Sequence, residues 1–415
     1  MSARVVLLGG GYVTLHAYAA LARRMRGDLR RGRLEVVVVS ADAAHSFHGF
    51  TGEVASGQLP FERTRTPLTE VCPRAWVVHA RVTGVDTTGR TVTYRLPGGA
   101  ERTLSYTHLV LGTGGAEPTA QVPGLAEHGC TLRGTGDIKA LVQRVRAALA
   151  APDDGLGSRS VVVAGGGMAG VELAAALADL GRDRLSVTLV HRGPTLLPAL
   201  RAEHPRLAER ADAELERLGV RVRLGTGLAG VTPGGARLSD GSWLAARTVL
   251  GTVGQRPVQI PGLCRGLRDE RGRLVTAPDL SVAPGVWAAG DAARVLHAAT
   301  GHPVPANALW AIKGGAHVGA NIARVLDDRP PRPFRYRGLG QVASFGLGRS
   351  VGEIYGVELT GVPAWLVRLA FFLRFMPSRR NAAAVVSDLT RLVVQGGARP
   401  VPVDSGVRAS SRLAA

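Results

Sequence analysis

The chain has 415 residues, 45% of them hydrophobic and 55 of them glycine, with a formal net charge of +19. That length and apolar content predict two or three domains with packed cores and exclude a disordered chain, while the glycines fit an α/β protein rich in tight turns. The cations are nearly all arginine, a balance that suits a phosphate-rich ligand or an anionic membrane surface and is equally met by a solvated arginine surface.

The first predicted strand is Val5–Leu8, followed by Gly9-Gly10-Gly11 and a helix from Tyr12 to Arg24. A polar connection over 25–33 leads to a second strand, Leu34–Val39. Strands are expected at Thr91–Leu96 and Leu104–Leu111, with a Pro97-Gly98-Gly99 turn between them. A helix over Ile138–Ala151 precedes a loop at 152–158. Then the opening pattern returns: Val161-Val162-Val163-Ala164 runs into Gly165-Gly166-Gly167-Met168-Ala169-Gly170 and a helical segment. Its second strand is Leu185–Val190, and Pro205–Leu218 is helical, with Leu207, Ala211 and Leu215 on one face. Short strands follow to Thr248–Val253 and Val286–Ala289, which end in Gly254 and in Gly290-Asp291. After Arg329 prolines break the pattern. Glycine-rich strands over 341–354 then lead to two amphipathic helices, Pro363–Met376 and Asn381–Val394, and a flexible tail over 396–415.

A β-branched strand that stops in glycines and opens a helix is the phosphate-binding entry of a βαβ unit. The glycines admit a pyrophosphate to the backbone, and the helix N-terminus offers free N–H groups. Two such units in one chain predict two dinucleotides. The expected fold class is α/β, with two Rossmann-like domains, one inserted in the other. Residues 1–115 and 281–328 would form the first, 116–280 the second, and 329–395 a C-terminal strand and amphipathic-helix region. The cysteines, Cys72, Cys130 and Cys264, form no C-x-x-C pair, so neither a redox dithiol nor a metal site is expected. Basic residues are not interleaved with aromatics, so nucleic acid is not an expected partner. The N-terminus runs straight into a strand, and no apolar run is long enough to span a bilayer.

The order of these elements resembles the FAD-dependent pyridine nucleotide oxidoreductases, and within them the type II NADH:quinone oxidoreductases. The resemblance runs from Gly9-Gly10-Gly11 through His45-Ser46-Phe47 and Glu53–Gly57, Leu109–Gly114, Gly165–Gly170 with Glu172, Gly251–Gly254 and Ala288–Asp291 to Gly361–Leu366. It implies FAD held by Gly9, Gly11, Tyr12, Ser40, Thr113, Gly114, Gly254 and Asp291, the last bonding the ribityl chain. It implies NAD(P)H at Gly165, Gly167, Gly170, His191 and Arg192. Glu172 and Lys313 are the implied catalytic residues, and Trp310 the implied contact to a flat substrate ring.

The implied activity is hydride transfer from NAD(P)H to flavin and two electrons onward to a quinone. A soluble NAD(P)H-dependent reductase of a ferredoxin-like protein and a non-catalytic FAD-binding redox sensor remain as alternatives. Four departures from the family pattern carry weight. Val39 is followed by Ser40, with Asp42 two residues later, where an acid would bond the adenosine ribose, and Ser40 is expected to bond it more weakly. Thr14 replaces the third small residue of the first loop and is expected to loosen the helix–strand contact. Val190 is followed by His191-Arg192 instead of an acid, which favours acceptance of NADPH unless both side chains simply face solvent. The stretch Pro305–Gly315 lacks the family's glutamines, which weakens the case for quinone. The Pro363–Met376 helix, ~21 Å long, cannot span ~30 Å of hydrocarbon. It is expected to lie on an anionic membrane, with Trp365, Phe371, Phe372 and Phe375 buried there and Arg368, Arg374, Arg379 and Arg380 at the headgroups. Packing on the core or a homodimer contact is the other reading. The expected location is cytoplasmic, peripheral on the inner face of the cell membrane.

Overall fold

The computed structural model describes residues 3–132 and 135–394. The expected tail at 396–415 lies outside them. Two parallel sheets carry the fold. The first has six strands in the order Ser281–Ala283, Val286–Ala288, His108–Leu111, Ala3–Leu8, Leu34–Ser40 and Trp76–His79, parallel except at the Ser281–Ala283 edge. The second has four parallel strands, Arg221–Arg223, Ser186–Val190, Ser160–Ala164 and Thr248–Gly251, all drawn from a stretch inserted between parts of the first. Continuous Val and Leu runs fit strands covered on both faces. Val5–Leu8 and Val161–Ala164 are accordingly buried throughout.

Both glycine units form as the sequence predicts. The Tyr12–Arg24 and Met168–Gly181 helices start directly after Gly11 and Gly167. The Ala308–Leu326 helix packs backbone to backbone on Tyr12–Arg24, because any Cβ at Gly315 or Gly319 would overlap the carbonyls of Val13 and Ala17. This close approach sets the N-termini of both helices beside one cleft. Thr14 does not loosen its contact. It is fully buried, its hydroxyl donates to the Leu8 carbonyl, and its branch occupies the space that Gly112 leaves by lacking a Cβ.

Several expected boundaries move. A short helix, Arg26–Arg30, interrupts the polar connection. The expected Leu104–Leu111 strand is two strands: Glu101–Ser105 belongs to an antiparallel sheet with Arg81–Asp86 and Thr91–Arg95, and His108–Leu111 to the central sheet. The chain changes sheets at Tyr106-Thr107, where the Thr107 N–H donates to the Arg4 carbonyl. Ile260, Leu263 and Leu274 pack in the core of the first sheet, so the chain returns there well before residue 281.

The C-terminal region straddles both halves. Its antiparallel sheet, Gly340–Ser344, Ser350–Ile354 and Val357–Thr360, sends Ala343, Phe345 and Val351 into the core of the second sheet. The Gly361–Phe375 and Arg379–Val394 helices cover the segment after the second strand, where Met376, Val385 and Leu389 meet Phe47, Phe50 and Phe61. Salt bridges Arg349–Asp179 (2.6 Å) and Arg63–Asp388 (2.9 Å) tie the two contacts down.

Candidate active site

A cavity of about 470 Å³ lies between the two sheets. From the first come Gly9, Gly11, Tyr12, Ser40, Thr113, Gly114 and Asp291; from the inserted unit come Glu172, Thr252 and Gly254. The structure therefore gathers nine of the expected site residues around one space. Gly9 is required there: its φ is +95°, and a Cβ would sit 2.6 Å from the Gly112 carbonyl oxygen. Neither Gly11 nor Gly167 has a side-chain cap bond to the helix that follows, so no N-cap side chain competes with an anion at either helix N-terminus.

The cavity fits a dinucleotide on its own chemistry. Besides the glycine loop, it is lined by His45, whose Nδ1 lies 2.9 Å from the Gly10 carbonyl. That contact makes Nδ1 the donor, and Nε2 is left buried with no partner among the described residues. Burial pushes the imidazole pKa down to about 4. A bound polar ligand is the natural partner for such an atom. Ser40, where the family pattern has an acid, is buried, and its Oγ accepts from the Asp42 N–H at 3.2 Å.

Glu172 projects from the first turns of the Met168–Gly181 helix into the same cavity. Its Oε1 accepts from the Ser344 N–H at 2.9 Å and lies 3.4 Å from Arg368 Nε. Arg368 is almost wholly engaged elsewhere: Nη1 donates to Glu53 Oε1 at 2.6 Å, and Nη2 to Glu53 Oε2 at 3.3 Å and to the Gly49 carbonyl at 3.0 Å. Phe372 stacks on the guanidinium, 4.7 Å from ring centre to the central carbon. Glu172 thus faces an ion pair that is already close to neutral, with a second carboxylate behind it. Burial wins over the attraction of Arg368, and the Glu172 pKa rises from 4.5 to about 7.

Other expected residues fall outside the cavity. Gly165, Gly167, Gly170, His191 and Arg192 belong to the second glycine unit and do not line the cavity, although Ala169 and Thr252 of the same unit do. Trp310 does not face the cavity. It is 8% exposed and packs edge-on against Tyr336 (4.7 Å), His297 (5.8 Å) and Phe334 (6.1 Å), because the cavity side of its helix is taken by Ala308 and Ala311. Lys313 is exposed, 5.8 Å from the Tyr336 ring centre, and does not line the cavity either. Arg368 is the reverse case. Expected at headgroups, it is 3% exposed, and Phe372 packs inward beside it on Phe47 and Phe50. Glu53, Ser344, His45 and Asn307 complete the site without having been singled out. Glu53, His45 and Asn307 had a signal, inside the segments Glu53–Gly57, His45–Phe47 and Pro305–Gly315; Ser344 had none.

The family model for pyridine nucleotide-disulphide oxidoreductase matches residues 3–315. The chain belongs to this family. It is an oxidoreductase whose cofactors are FAD and a nicotinamide dinucleotide. The demethylphylloquinone reductase NdbB of Synechocystis is 28% identical over 399 residues, covering 94% of this chain and 96% of the relative. The type II NADH:quinone oxidoreductase Ndh of Mycobacterium tuberculosis is 28% identical over 408 residues, covering 90% and 84%. An NADH dehydrogenase-like protein of the same organism is 32% identical over 376 residues, covering 85% and 87%. The resemblance to type II NADH:quinone oxidoreductases thus holds along most of the chain. In fold, the structure of NDH2 from Plasmodium falciparum in complex with NADH superposes with a TM-score of 0.84 at 12% identity, covering 97% of this chain and 100% of that one.

Proposed function

We propose that this oxidoreductase passes electrons from NAD(P)H through FAD to a quinone. The observation that carries the reading is the shared cavity: the Gly9–Gly11 loop and Asp291 reach it from one unit, Glu172 and Gly254 from the other. In this reading the six-stranded unit holds FAD and the four-stranded unit the nicotinamide. The relatives that span the chain are named for quinone reduction.

The residues divide the work. The Gly9–Gly11 and Gly165–Gly170 loops hold the two pyrophosphates against helix N-termini. Asp291 and His45 present acceptors to the hydroxyls of the FAD chain. When bound, FAD supplies two-electron chemistry between a reduced nicotinamide and an acceptor. Glu172, with a pKa near 7, can hold a proton at its free oxygen at neutral pH, while Ser344 and Arg368 fix the carboxyl. None of the three cysteines lines the cavity, and Cys72 and Cys130 are buried with their thiols pushed upward, so dithiol chemistry has no place in this site.

A lipid-soluble acceptor calls for a membrane surface, and the exposure of one C-terminal helix supports that reading. Val362 (54% exposed) and Leu366 (52%) on the Gly361–Phe375 helix are exposed, as are Arg374 on the same helix and Arg379 and Arg380 at the start of the next. Among the described residues no helix is long and apolar enough to cross a membrane. Mixing the purified holoenzyme with NADH or NADPH and a short-chain quinone, while following the flavin band and nicotinamide absorbance, tests the reading. Rapid turnover supports it; flavin reduction that quinone does not reverse overturns quinone as the acceptor.

A further inference from the structure

In a dinucleotide-binding βαβ unit the adenosine ribose sits at the C-terminal end of the second strand. A carboxylate there accepts bonds from the ribose hydroxyls and repels a 2′-phosphate, whereas an arginine accommodates one. Here the Ser186–Val190 strand ends beside its glycine loop: the Gly165 N–H donates to the Val190 carbonyl at 2.8 Å, and the Gly166 N–H to His191 Nδ1 at 3.1 Å. Residues 189–195 read Leu-Val-His-Arg-Gly-Pro-Thr, without an acid.

The chain packed against this end brings one carboxylate, Asp240, beside Arg223. The His191 N–H donates to the Arg223 carbonyl at 2.8 Å, the Thr226 N–H to the His191 carbonyl at 3.1 Å, and the Gly225 N–H to the Gly193 carbonyl at 3.0 Å. Gly227 lies against Arg192 Cβ. Arg192 is exposed and has no ion-pair partner among the described residues. Arg223 has one, Asp240, at 3.5 Å with both side chains well exposed, an attachment too weak to hold it from a dianion. His191, accepting at Nδ1, carries its proton on Nε2. The rim therefore offers hydrogen-bond donors and two guanidinium charges where a plain ribose would need acceptors.

We propose that NADPH is the preferred reductant of this chain, its 2′-phosphate held by Arg192 and Arg223 at the end of the Ser186–Val190 strand. This rests on the reading of the four-stranded unit as the nicotinamide site, and it differs from what the names of the relatives say of those proteins. The test is kcat/KM of the holoenzyme for NADPH and for NADH, with binding of 2′,5′-ADP and 5′-AMP measured by calorimetry. The NADPH:NADH ratio is expected above one, and Arg192→Ala should lower it at least tenfold, chiefly through the KM for NADPH. Arg192→Asp should lower it further, and 2′,5′-ADP should bind the unaltered protein at least tenfold more tightly than 5′-AMP. A ratio below one, a ratio that Arg192→Ala leaves unmoved, or equal binding of the two adenosine phosphates overturns the proposal. Failure of both nucleotides to reduce the flavin overturns the catalytic reading as well, an outcome distinct from reduction by NADH alone.

Discussion

Arg368 and Glu53, 315 residues apart in the chain, form a buried ion pair with Nη1 2.6 Å from Oε1, and the same guanidinium reaches Glu172 on the helix of the other unit. One cation from the C-terminal region thus joins the segment after the second strand to the helix that enters the cavity. Removing one member of a buried pair leaves an uncompensated charge, a loss of about 3–5 kcal/mol. Arg368→Met should therefore cost about that much in chemical denaturation, and Arg368→Met with Glu53→Gln clearly less, since the second change removes the stranded carboxylate. Equal losses for the single and double variants would show that the pair is energetically idle.

Glu172 sets a pH dependence of definite sign. Its folded pKa, about 7, lies above the ordinary 4.5, so between these values the native state holds a proton that the unfolded chain has released. Its contribution to stability is full below pH 4.5 and falls as pH rises to about 7. The difference in melting temperature between the unaltered holoenzyme and Glu172→Gln should therefore fall as pH rises from 5 to 7, since every other titrating group contributes equally to both proteins.

Two buried histidines and the half-buried His16 act in the opposite direction. Burial pushes His16, His45 and His108 from the ordinary 6.5 to about 4. Below pH 6.5 the unfolded chain takes up protons that the native state refuses, so stability is lost as pH falls from about 6.5 toward 4. The melting temperature should drop steeply over that interval, and His108→Gln should reduce the drop. A flat profile from pH 6.5 to 4 would contradict the burial of these rings.

Gly9→Ala should empty the first loop. The new methyl would meet the Gly112 carbonyl oxygen at 2.6 Å in a backbone with φ +95°, at a strain of roughly 1–3 kcal/mol. Bound flavin per chain, read from the absorbance spectrum after purification, should fall sharply, with the parallel-sheet fold retained by circular dichroism.

Trp310 is a core residue, and its variants should behave so. Trp310→Ala should cost about 3–5 kcal/mol, whereas Trp310→Phe should leave the KM for a short-chain quinone unchanged. A tenfold rise in that KM for Trp310→Phe would return the indole to the acceptor site.

The two glycine units were legible because strand, loop and helix entry are local: a Val-rich run, φ values open only to glycine, and a free helix N-terminus each follow from neighbouring residues. Asp291 and Gly254 were legible by the same route, as glycine turns at strand ends. What the chain sequence alone could not decide was which face of an element meets which other element. Trp310 and Ala311 are neighbours on one helix, yet only the packing against Tyr12–Arg24 turns Ala311 to the cavity and Trp310 to Phe334 and Tyr336. An arginine in an amphipathic helix reads as solvent-facing because burying its charge alone is prohibitive. Arg368 is inward because Glu53 and Glu172, far away in sequence, arrive at the same place to neutralise it. Local sequence determined the two phosphate-binding units, and tertiary packing decided which charged groups meet between them, since the energy of a buried charge depends on partners that no local pattern encodes.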